Sequence, residues 1–285
     1  MILGTIAAFC WGIADFFVAV YTRRFGTTRV LLVGTFAALL VYGTAFLLDA
    51  PSAHIEARDL VPFVCIAFIV VVTYLAFYRG LEEGPVAIVT PIAAAYTAVV
   101  VVLAMMILHE RLSTTQAIGA AAAIVGVVLA SIDRRKLQPG AALVGKGTLF
   151  ALLAMLGFGL ASFGGGFFAQ KYGWVKPALY IRVLATGMFL VVGSMNRQWP
   201  WQIAENRGRV IGALVAIGAV DAIGFLAFSK GAEIGMLSVV ATASAAYPLI
   251  PLILGLVVFK EKLATNQMVG VAAVMAGVLV LGLAQ

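Results

Sequence analysis

The residues Leu75–Gly84, LAFYRGLEEG, return 151 positions later at Leu226–Gly235 as LAFSKGAEIG. Six of these ten positions are identical, including two glycines and a glutamate. Charges and glycines in register indicate that the chain contains one unit twice. The match continues at the same offset without a gap, and it pairs Tyr96 with Tyr247, Glu110-Arg111-Leu112 with Glu261-Lys262-Leu263, Thr114 with Thr265, Gln116 with Gln267, Gly119 with Gly270, and Gly126 with Gly277.

The front of the unit repeats at a slightly different offset of 147. The aligned segments are Trp11-Gly12 with Phe158-Gly159, and Tyr21–Gly26 with Phe168–Gly173. The change of offset, 151 − 147 = 4, predicts a short insertion in the second copy near Asn196–Arg207. We therefore predict a first five-span repeat at residues 1–135, an inter-repeat loop at 136–146 and a second five-span repeat at 147–285.

The composition places most of the chain in lipid. The 285 residues are 63% hydrophobic and 11% charged, whereas a soluble domain carries about a quarter charged residues. Lipid offers no partners for backbone N–H and C=O groups, so apolar runs of about 20 residues cross it as helices. We identify ten such runs: Ile2–Val20, Arg29–Leu48, Leu60–Arg79, Val86–Leu108, Thr114–Ile132, Gly147–Ala169, Pro177–Met195, Arg209–Ser229, Met236–Phe259 and Asn266–Ala284.

Five spans in each copy is an odd number, so the second copy must enter the membrane inverted relative to the first. We predict an all-α integral membrane protein with ten transmembrane helices in two inverted five-helix repeats. Such repeats are typical of secondary transporters, in which alternating access follows from the two halves exchanging roles. Duplication for packing alone is the alternative. The first run lacks a basic leader, and we expect it to stay as a span.

The repeated motifs resemble those of a known family. The Trp-Gly of the first span, the Glu-Arg-Leu and Glu-Lys-Leu tripeptides at 110–112 and 261–263, and the glutamines and glycines that follow them are similar to the EamA family of the drug/metabolite transporter (DMT) superfamily. The resemblance extends over nearly the whole chain, including the ten-span layout. It implies a transporter of amino acids, other metabolites or toxic compounds, often outward, and it does not name the substrate.

Two carboxyl groups lie inside apolar runs. Ten of the 12 acidic residues sit at span ends or in loops, but Asp15 and Asp221 each lie within about 5 Å of their span centres by the helical rise. A charge at mid-bilayer costs about 2.5–3.5 kcal/mol, so it must face protein or water. An inverted-repeat transporter binds its substrate near this depth, and we predict both aspartates as proton or cation coupling sites. The alternative is a structural carboxyl group, hydrogen-bonded to a neighbouring helix or paired with Arg182.

Other polar and aromatic side chains are predicted to line the same central cavity, which we expect between spans one, three, four, six, eight and nine. Prolines in spans four and nine free backbone carbonyls, which is tolerated where these groups line a cavity. Arg182 is the only basic residue clearly inside a span, with snorkelling to the headgroups as its alternative. The predicted substrate-binding residues are Trp11, Thr90, Tyr96, Ser162, Arg182, Ser244 and Tyr247.

Other function classes find little support in the sequence. The segment from Gly140 to Lys146 has the spacing of a phosphate-binding loop, but Gly147 stands where the loop needs Ser or Thr. Metal hydrolysis needs clustered His, Cys or carboxylates, and the two histidines, His54 and His109, lie in a loop or at a span end. We therefore expect no cofactor, no metal site and no enzyme activity. A polytopic membrane enzyme or a channel that uses the same aspartates stays open as the alternative.

The sequence therefore predicts a secondary active transporter of a small metabolite, an amino acid or an organic cation, with proton-coupled export as a hypothesis. We predict a multi-pass protein of the cytoplasmic (inner) cell membrane, monomeric or homodimeric, with membrane lipid as a partner. The net charge of +7 is expected to face anionic lipid rather than nucleic acid.

The orientation in the membrane stays open. Loops after odd-numbered spans hold thirteen lysines and arginines, and the opposite side holds five. By the positive-inside rule this places both termini outside, whereas the family resemblance implies cytoplasmic termini.

Overall fold

The computed structural model describes residues 2–49, 55–107, 113–132, 144–204, 206–235, 237–244 and 246–283. Within these ranges the regular structure is helical, with short 3₁₀ turns at Ala57–Asp59 and Pro200–Gln202 and no strand. The α-helices are α1 Ile2–Phe25, α2 Thr27–Leu48, α3 Leu60–Glu83, α4 Val86–Ala94, α5 Tyr96–Ile107, α6 Thr114–Ser131, α7 Lys146–Tyr172, α8 Val175–Asn196, α9 Arg207–Ile234, α10 Leu237–Ser244, α11 Leu249–Val257 and α12 Thr265–Leu283.

The helices have the length and composition of membrane spans. In the described parts of the chain, seven helical segments are long and apolar enough to cross a bilayer: Ile2–Phe25, Thr27–Leu48, Ala57–Glu83, Val86–Ile107, Lys146–Tyr172, Val175–Asn196 and Arg207–Ile234. Two shorter apolar helices are Ala117–Ser131 and Thr265–Val280. Large apolar side chains such as Leu40, Phe68 and Met195 are 60% or more exposed, as expected when the surrounding solvent is lipid. The protein is therefore an all-helical, multi-pass membrane protein.

Several helices run beyond the apolar runs that predicted them. The first helix continues from Val20 to Phe25 and carries Arg23 and Arg24 in its last turn, where basic groups interact favourably with the helix dipole. It stops at Gly26, whose φ is 83° and ψ 152°. Helix α7 stops in the same way at Gly173, with φ 84° and ψ 161°. The two glycines are aligned by the repeat, so both copies end their first helix by the same backbone device.

The spans predicted at Val86–Leu108 and Met236–Phe259 are broken rather than continuous. Helix α4 ends at Ala94 and α5 begins at Tyr96, one turn after Pro91, which has no N–H to donate. In the second copy, α10 ends at Ser244 and α11 begins at Leu249. Leu108 and Met236 lie outside the described residues. Both breaks lie beside the aligned residues Tyr96 and Tyr247, which places irregular backbone from each repeat next to a tyrosine.

Two pairs of aligned helices pack against each other in opposite directions. In the α6–α12 pair, a Cβ on Gly126 would lie 2.7 Å from the Gly270 carbonyl oxygen, and one on Gly277 would lie 2.5 Å from the Gly119 oxygen. In the α2–α8 pair, Asn196 at the end of α8 donates to Thr28 at the start of α2. The hydroxyls of Thr35 and Thr186 meet between these two positions, 3.2 Å apart. Equivalent helices of the two copies are therefore antiparallel at both contacts.

Helices α3 and α7 are also antiparallel and define two ends of the molecule. Gly84, at the end of α3, meets Gly147 at the start of α7. The ring of Phe63, near the start of α3, packs on Phe168 near the end of α7, with centroids 4.6 Å apart. Helix α3 has 24 residues and is about 36 Å long, enough to cross a hydrocarbon core of about 30 Å.

Candidate functional site

A cavity lies at mid-length between the helices. It leaves about 60 Å³ for the centres of water molecules, which is room for a few waters at about 10–15 Å³ each. The lining comes from both repeats and consists of Trp11, Asp15, Tyr42, Val70, Tyr74, Phe77, Tyr96, Phe158, Ala161, Ser162, Ala178, Ile181, Arg182, Asp221, Phe225 and Tyr247. Half of these residues are aromatic. The charged ones are two aspartates and one arginine, so an apolar chamber contains three isolated charged groups.

Asp15 enters the cavity from α1. It lies one helical turn after Trp11 and therefore on the same face, and both residues line the chamber. Its side chain is 8% exposed. Within the described part of the chain, it has no hydrogen-bond or ion-pair partner. The Asp15 carboxyl group therefore faces the cavity and can accept a hydrogen bond or bind a cation there.

Asp221 and Arg182 approach the cavity from α9 and α8, and Tyr74 lies between them. The Tyr74 hydroxyl donates to Asp221 Oδ2 over 3.4 Å. The Arg182 guanidinium carbon lies 5.6 Å from the centre of the Tyr74 ring and 5.2 Å from that of Tyr42, and Arg182 Nη2 donates to the Tyr42 hydroxyl over 3.3 Å. Arg182 is 7% exposed, so it lies inside the protein and does not reach the headgroups.

Tyr96 and Tyr247, which the repeat aligns, also line the chamber. The Tyr96 hydroxyl lies 3.0 Å from the Ser244 hydroxyl. The Ser244 hydroxyl donates to the Ala241 carbonyl oxygen. The Tyr247 ring meets the indole of Trp11 edge to face, with centroids 6.1 Å apart. These contacts fix both rings against the cavity at the breaks in their helices.

Two of the predicted substrate-binding residues are not in the lining. Thr90 is fully buried and donates to the Val86 carbonyl oxygen one turn earlier. Ser244 is also fully buried and reaches the cavity only through Tyr96. Their hydroxyls satisfy neighbouring polar groups, which is the ordinary role of a buried hydroxyl. The other predicted residues, Trp11, Asp15, Tyr96, Ser162, Arg182, Asp221 and Tyr247, are brought together around one space. Their roles stay predictions.

Spans two and seven also contribute to the cavity, through residues that the sequence prediction missed. Tyr42 comes from α2 and Ala178 and Ile181 from α8, while Tyr74, Phe77 and Phe225 extend the walls made by α3 and α9. The signal for Tyr42 and Tyr74 was a phenolic hydroxyl inside an apolar run. A buried tyrosine hydroxyl usually finds a polar partner, and here these partners are Arg182 and Asp221.

The lining follows the internal repeat. Five pairs of aligned positions both face the cavity, and in two of these pairs an aspartate in one copy corresponds to an uncharged residue in the other. The pairs are Trp11 with Phe158, Asp15 with Ser162, Val70 with Asp221, Tyr74 with Phe225, and Tyr96 with Tyr247. The chamber is thus similar in shape on its two sides but carries its charges asymmetrically.

A polar cluster lies at the C-terminal end of α1. The Glu261 carboxylate accepts from the backbone N–H groups of Val86 and Ala87 at 2.9 and 2.8 Å, which are free donors at the start of α4. Arg23 pairs with Glu261 at 3.0 Å and also donates to the carbonyl oxygens of Leu81 and Gly84. This latch ties the end of α1, the α3–α4 turn and the α11–α12 loop together. The aligned Glu110 lies outside the described residues.

A second polar cluster lies at the other end of α3. Lys171, near the end of α7, pairs with Asp59 at 2.7 Å and with Glu56 at 2.9 Å, and the Tyr172 hydroxyl donates to Asp59. Hydrogen bonds from Lys171 and Arg58 hold the pKa of the Glu56 carboxyl below its usual value. In the described ranges, no group of three or more histidine, cysteine or acidic side chains forms a possible metal site.

Three comparisons bear on this arrangement. The sequence model of the EamA-like transporter family matches residues 1–132 and 145–283. A protein of Methanocaldococcus jannaschii, described only as uncharacterised, is 29% identical over 137 residues, which are 47% of this chain and 96% of that relative. A crystal structure of a protein with 18% sequence identity superposes with a TM-score of 0.69, over 99% of this chain and 96% of that one. The superposition shows a shared fold alone.

Proposed function

The chain belongs to the EamA-like transporter family, within the drug/metabolite transporter superfamily, and we propose that it is a secondary active transporter. It moves a small metabolite, an amino acid or an organic cation, across the cytoplasmic (inner) membrane by alternating access. Proton-coupled export is the working hypothesis. The observation that carries the proposal is a cavity that is lined by both repeats and contains the Asp15 carboxyl group, which has no hydrogen-bond or ion-pair partner among the described residues.

The antiparallel contacts of aligned helices support two inverted five-span repeats. A two-fold axis that runs along the helices would make equivalent helices parallel, whereas α6 and α12 run in opposite directions, as do α2 and α8. On this proposal the membrane is crossed ten times, with α4–α5 and α10–α11 as the two broken spans. Broken helices at the midplane are typical of substrate sites in inverted-repeat transporters. The relative from Methanocaldococcus jannaschii, which matches about half of this chain, is consistent with one repeat being a unit by itself.

The cavity lies where the repeats meet, so exchanging the conformations of the two repeats would open it to the opposite side. A carboxyl group in an apolar chamber favours its neutral form until a cation compensates its charge. A proton and a cationic group of the substrate then compete for Asp15 and Asp221. Competition of this kind couples the release of one to the binding of the other, which is the simplest basis for exchange of protons against substrate.

The proposal is tested with purified protein in proteoliposomes under an imposed pH gradient. We expect saturable, gradient-driven uptake in the wild type, and a loss of at least about 10-fold in Asp15→Asn and Asp221→Asn, because each variant removes a site of competition. Exchange without a gradient should persist if only the coupling is lost. Wild-type uptake in both variants would exclude the proposed role of the two aspartates. Flux that is downhill and unsaturated, without counterflow, would identify a channel instead.

A further inference from the structure

The cavity contains opposite charges that do not pair with one another. Among the described residues, no carboxylate oxygen lies within 4.0 Å of an Arg182 nitrogen, although Asp15, Asp221 and Arg182 all line the same chamber. Tyr74 separates Arg182 from Asp221. Buried charges normally pair directly or bind a ligand. The chamber therefore contains one guanidinium and two carboxyl groups that are not directly paired.

Arg182 presents donors that the protein does not use. A guanidinium carries five N–H donors in a planar fork, and the hydrogen-bond partners of the Arg182 side chain within the described residues are two neutral phenols, Tyr42 over 3.3 Å and Tyr74. The rings of Tyr42 and Tyr74 flank the guanidinium at 5.2 and 5.6 Å and hold its orientation. A planar, always charged fork matches a carboxylate in a bidentate geometry, so Arg182 is suited to receive one.

The two carboxyl groups also have few hydrogen-bond partners. Asp15 has no partner among the described residues, and Asp221 has only the 3.4 Å contact from Tyr74. Aromatic rings surround this part of the chamber, among them Trp11 and Tyr247, and the faces of such rings also attract ammonium groups. The part of the chamber at Asp15 and Asp221 is therefore suited to an ammonium group.

We propose that the substrate is a zwitterionic amino acid, whose carboxylate binds Arg182 and whose ammonium group binds at Asp15 and Asp221. This inference rests on the proposed transport function and names the substrate class of its site. The ammonium group lies near both carboxyl groups but compensates the charge of only one of them, and the other carboxyl group carries the coupling proton. A substrate with only a positive charge would leave Arg182 uncompensated and would be repelled by it.

The competing account makes Arg182 a purely structural counter-ion for Asp221, acting through Tyr74. It predicts that Arg182 influences protein stability and all substrates equally. The zwitterion account predicts a selective effect on compounds that carry a carboxylate. The two accounts are therefore separated by comparing compounds that differ in one charge only.

The first experiment is counterflow in wild-type proteoliposomes with two sets of labelled probes. One set contains the twenty protein amino acids, and the other contains tetraethylammonium and spermidine. We expect exchange of one or more amino acids and none of the two cations. Exchange of the cations without any amino acid overturns the zwitterion inference while the transport function stands. If no probe in either set exchanges, the proposed function fails together with the inference.

The second experiment removes one charge at a time from the amino acid that exchanges. The decarboxylated amine and the deaminated acid of that compound compete against it, and we expect each to bind at least about 10-fold more weakly than the parent, because each loses a charge-assisted interaction. Equal competition by the amine would overturn the role of Arg182. This comparison uses the wild-type protein, so it does not depend on a variant that folds.

The third experiment changes the receptor. Arg182→Gln should lower the affinity for the amino acid by at least about 10-fold and leave that for its amine unchanged or improved, since the repulsive charge is gone. Arg182→Lys should recover part of the affinity, because it restores the charge without the fork. Arg209→Gln, at an exposed side chain near the start of α9, is the matched control. An equal loss for the amino acid and its amine in Arg182→Gln would support the structural account instead.

Discussion

Gly26 and Gly173 lie in a backbone region that is essentially restricted to glycine. Each ends the first helix of its repeat, with φ of 83° at Gly26 and 84° at Gly173, and each is followed closely by the next helix. Space is not the constraint at Gly26, because the nearest atom to an added Cβ is Gln198 Oε1 at 3.8 Å. The requirement is therefore conformational. An aligned glycine in the sequence marks a point where the chain must reverse sharply between two spans.

Replacing Gly26 by alanine should destabilise the protein by about 1–3 kcal/mol, the cost of forcing a side chain into this region. The measurement is the unfolding temperature of the purified protein in detergent. Gly43→Ala in the interior of α2 is the matched control, since a Cβ there meets nothing within 4 Å and alanine favours helix. Equal unfolding temperatures for the two variants would contradict the conformational explanation.

The sequence predicts which charged side chains line the cavity better than it predicts which hydroxyl side chains do. Asp15, Asp221 and Arg182 stand out in apolar runs because burying a charge is costly, and the structure brings all three to the cavity. Thr90 and Ser244 do not stand out in this way, since a hydroxyl can satisfy itself on the preceding turn. Thr90 does so on Val86. The sequence cannot tell a hydroxyl that faces a cavity from one that bonds its own helix.

At the scale of elements, α6 and α12 form the closest helix contact between the repeats. Their glycines allow backbone atoms of one helix to approach those of the other, because a Cβ on Gly126 would lie 2.5 Å from the Val274 nitrogen. Small residues at such positions are typical of membrane helices, which gain little from the hydrophobic effect when they associate in lipid. These glycines therefore allow the two helices to pack closely.

Gly126→Ala should therefore force α6 and α12 apart and cost about 1–3 kcal/mol of stability, as overpacking of a close contact does. The unfolding temperature in detergent reports the cost. In α9, Gly212→Ala adds the same methyl group where nothing lies within 4 Å, and it should be neutral or stabilising. An unchanged unfolding temperature in Gly126→Ala would show that the helices can separate without loss.

The broken spans show a limit of reading elements from the sequence. Pro91 and Pro248 predict a bend, but the apolar runs around them are continuous. The break at Ala95 and that between Ser244 and Leu249 leave Tyr96 and Tyr247 at the cavity. Neighbouring helices and hydroxyl groups satisfy the freed backbone in such regions, and only the tertiary structure supplies these neighbours.

At the scale of the whole molecule, one polar cluster lies at each end of α3. The Arg23–Glu261 latch lies at the end of α3, and the Lys171–Asp59 cluster lies at its start, about 36 Å away by the length of the helix. The cavity lies between them, with Val70, Tyr74 and Phe77 at mid-length of α3. On the proposed function, alternating access requires that one end open while the other stays closed, and we expect these clusters to act as the gates.

Glu261→Gln should make the cavity more accessible from the side of the C-terminal end of α1, because the substitution removes the charge that pairs with Arg23. A hydrogen bond to a charged group contributes about 2 kcal/mol, which corresponds to roughly 30-fold in the equilibrium between closed and open forms. The measurement is labelling of Ser162→Cys, in a background without Cys10 and Cys65, by a maleimide that does not cross membranes. We expect several-fold faster labelling from the face of the α1 end.

Lys171→Gln should increase maleimide labelling from the other face of the membrane, because it removes the ion pairs that hold the start of α3. Arg209→Gln serves as the control because its side chain is exposed and belongs to neither cluster. Increased labelling from the same face in both variants would contradict the assignment of the two clusters to opposite gates.

The amino-acid sequence by itself determined that the chain crosses the membrane as helices, that it contains one unit twice, and that two carboxyl groups lie in its apolar runs. These follow from local physics: lipid satisfies no backbone polar group, and burying charge is expensive. The tertiary structure alone decided that Asp15 has no hydrogen-bond or ion-pair partner among the described residues, that Tyr74 contacts both Arg182 and Asp221, and that Glu261 accepts from the start of α4 in the other repeat. Contacts between residues that lie far apart along the chain depend on how helices pack, and no local pattern encodes them.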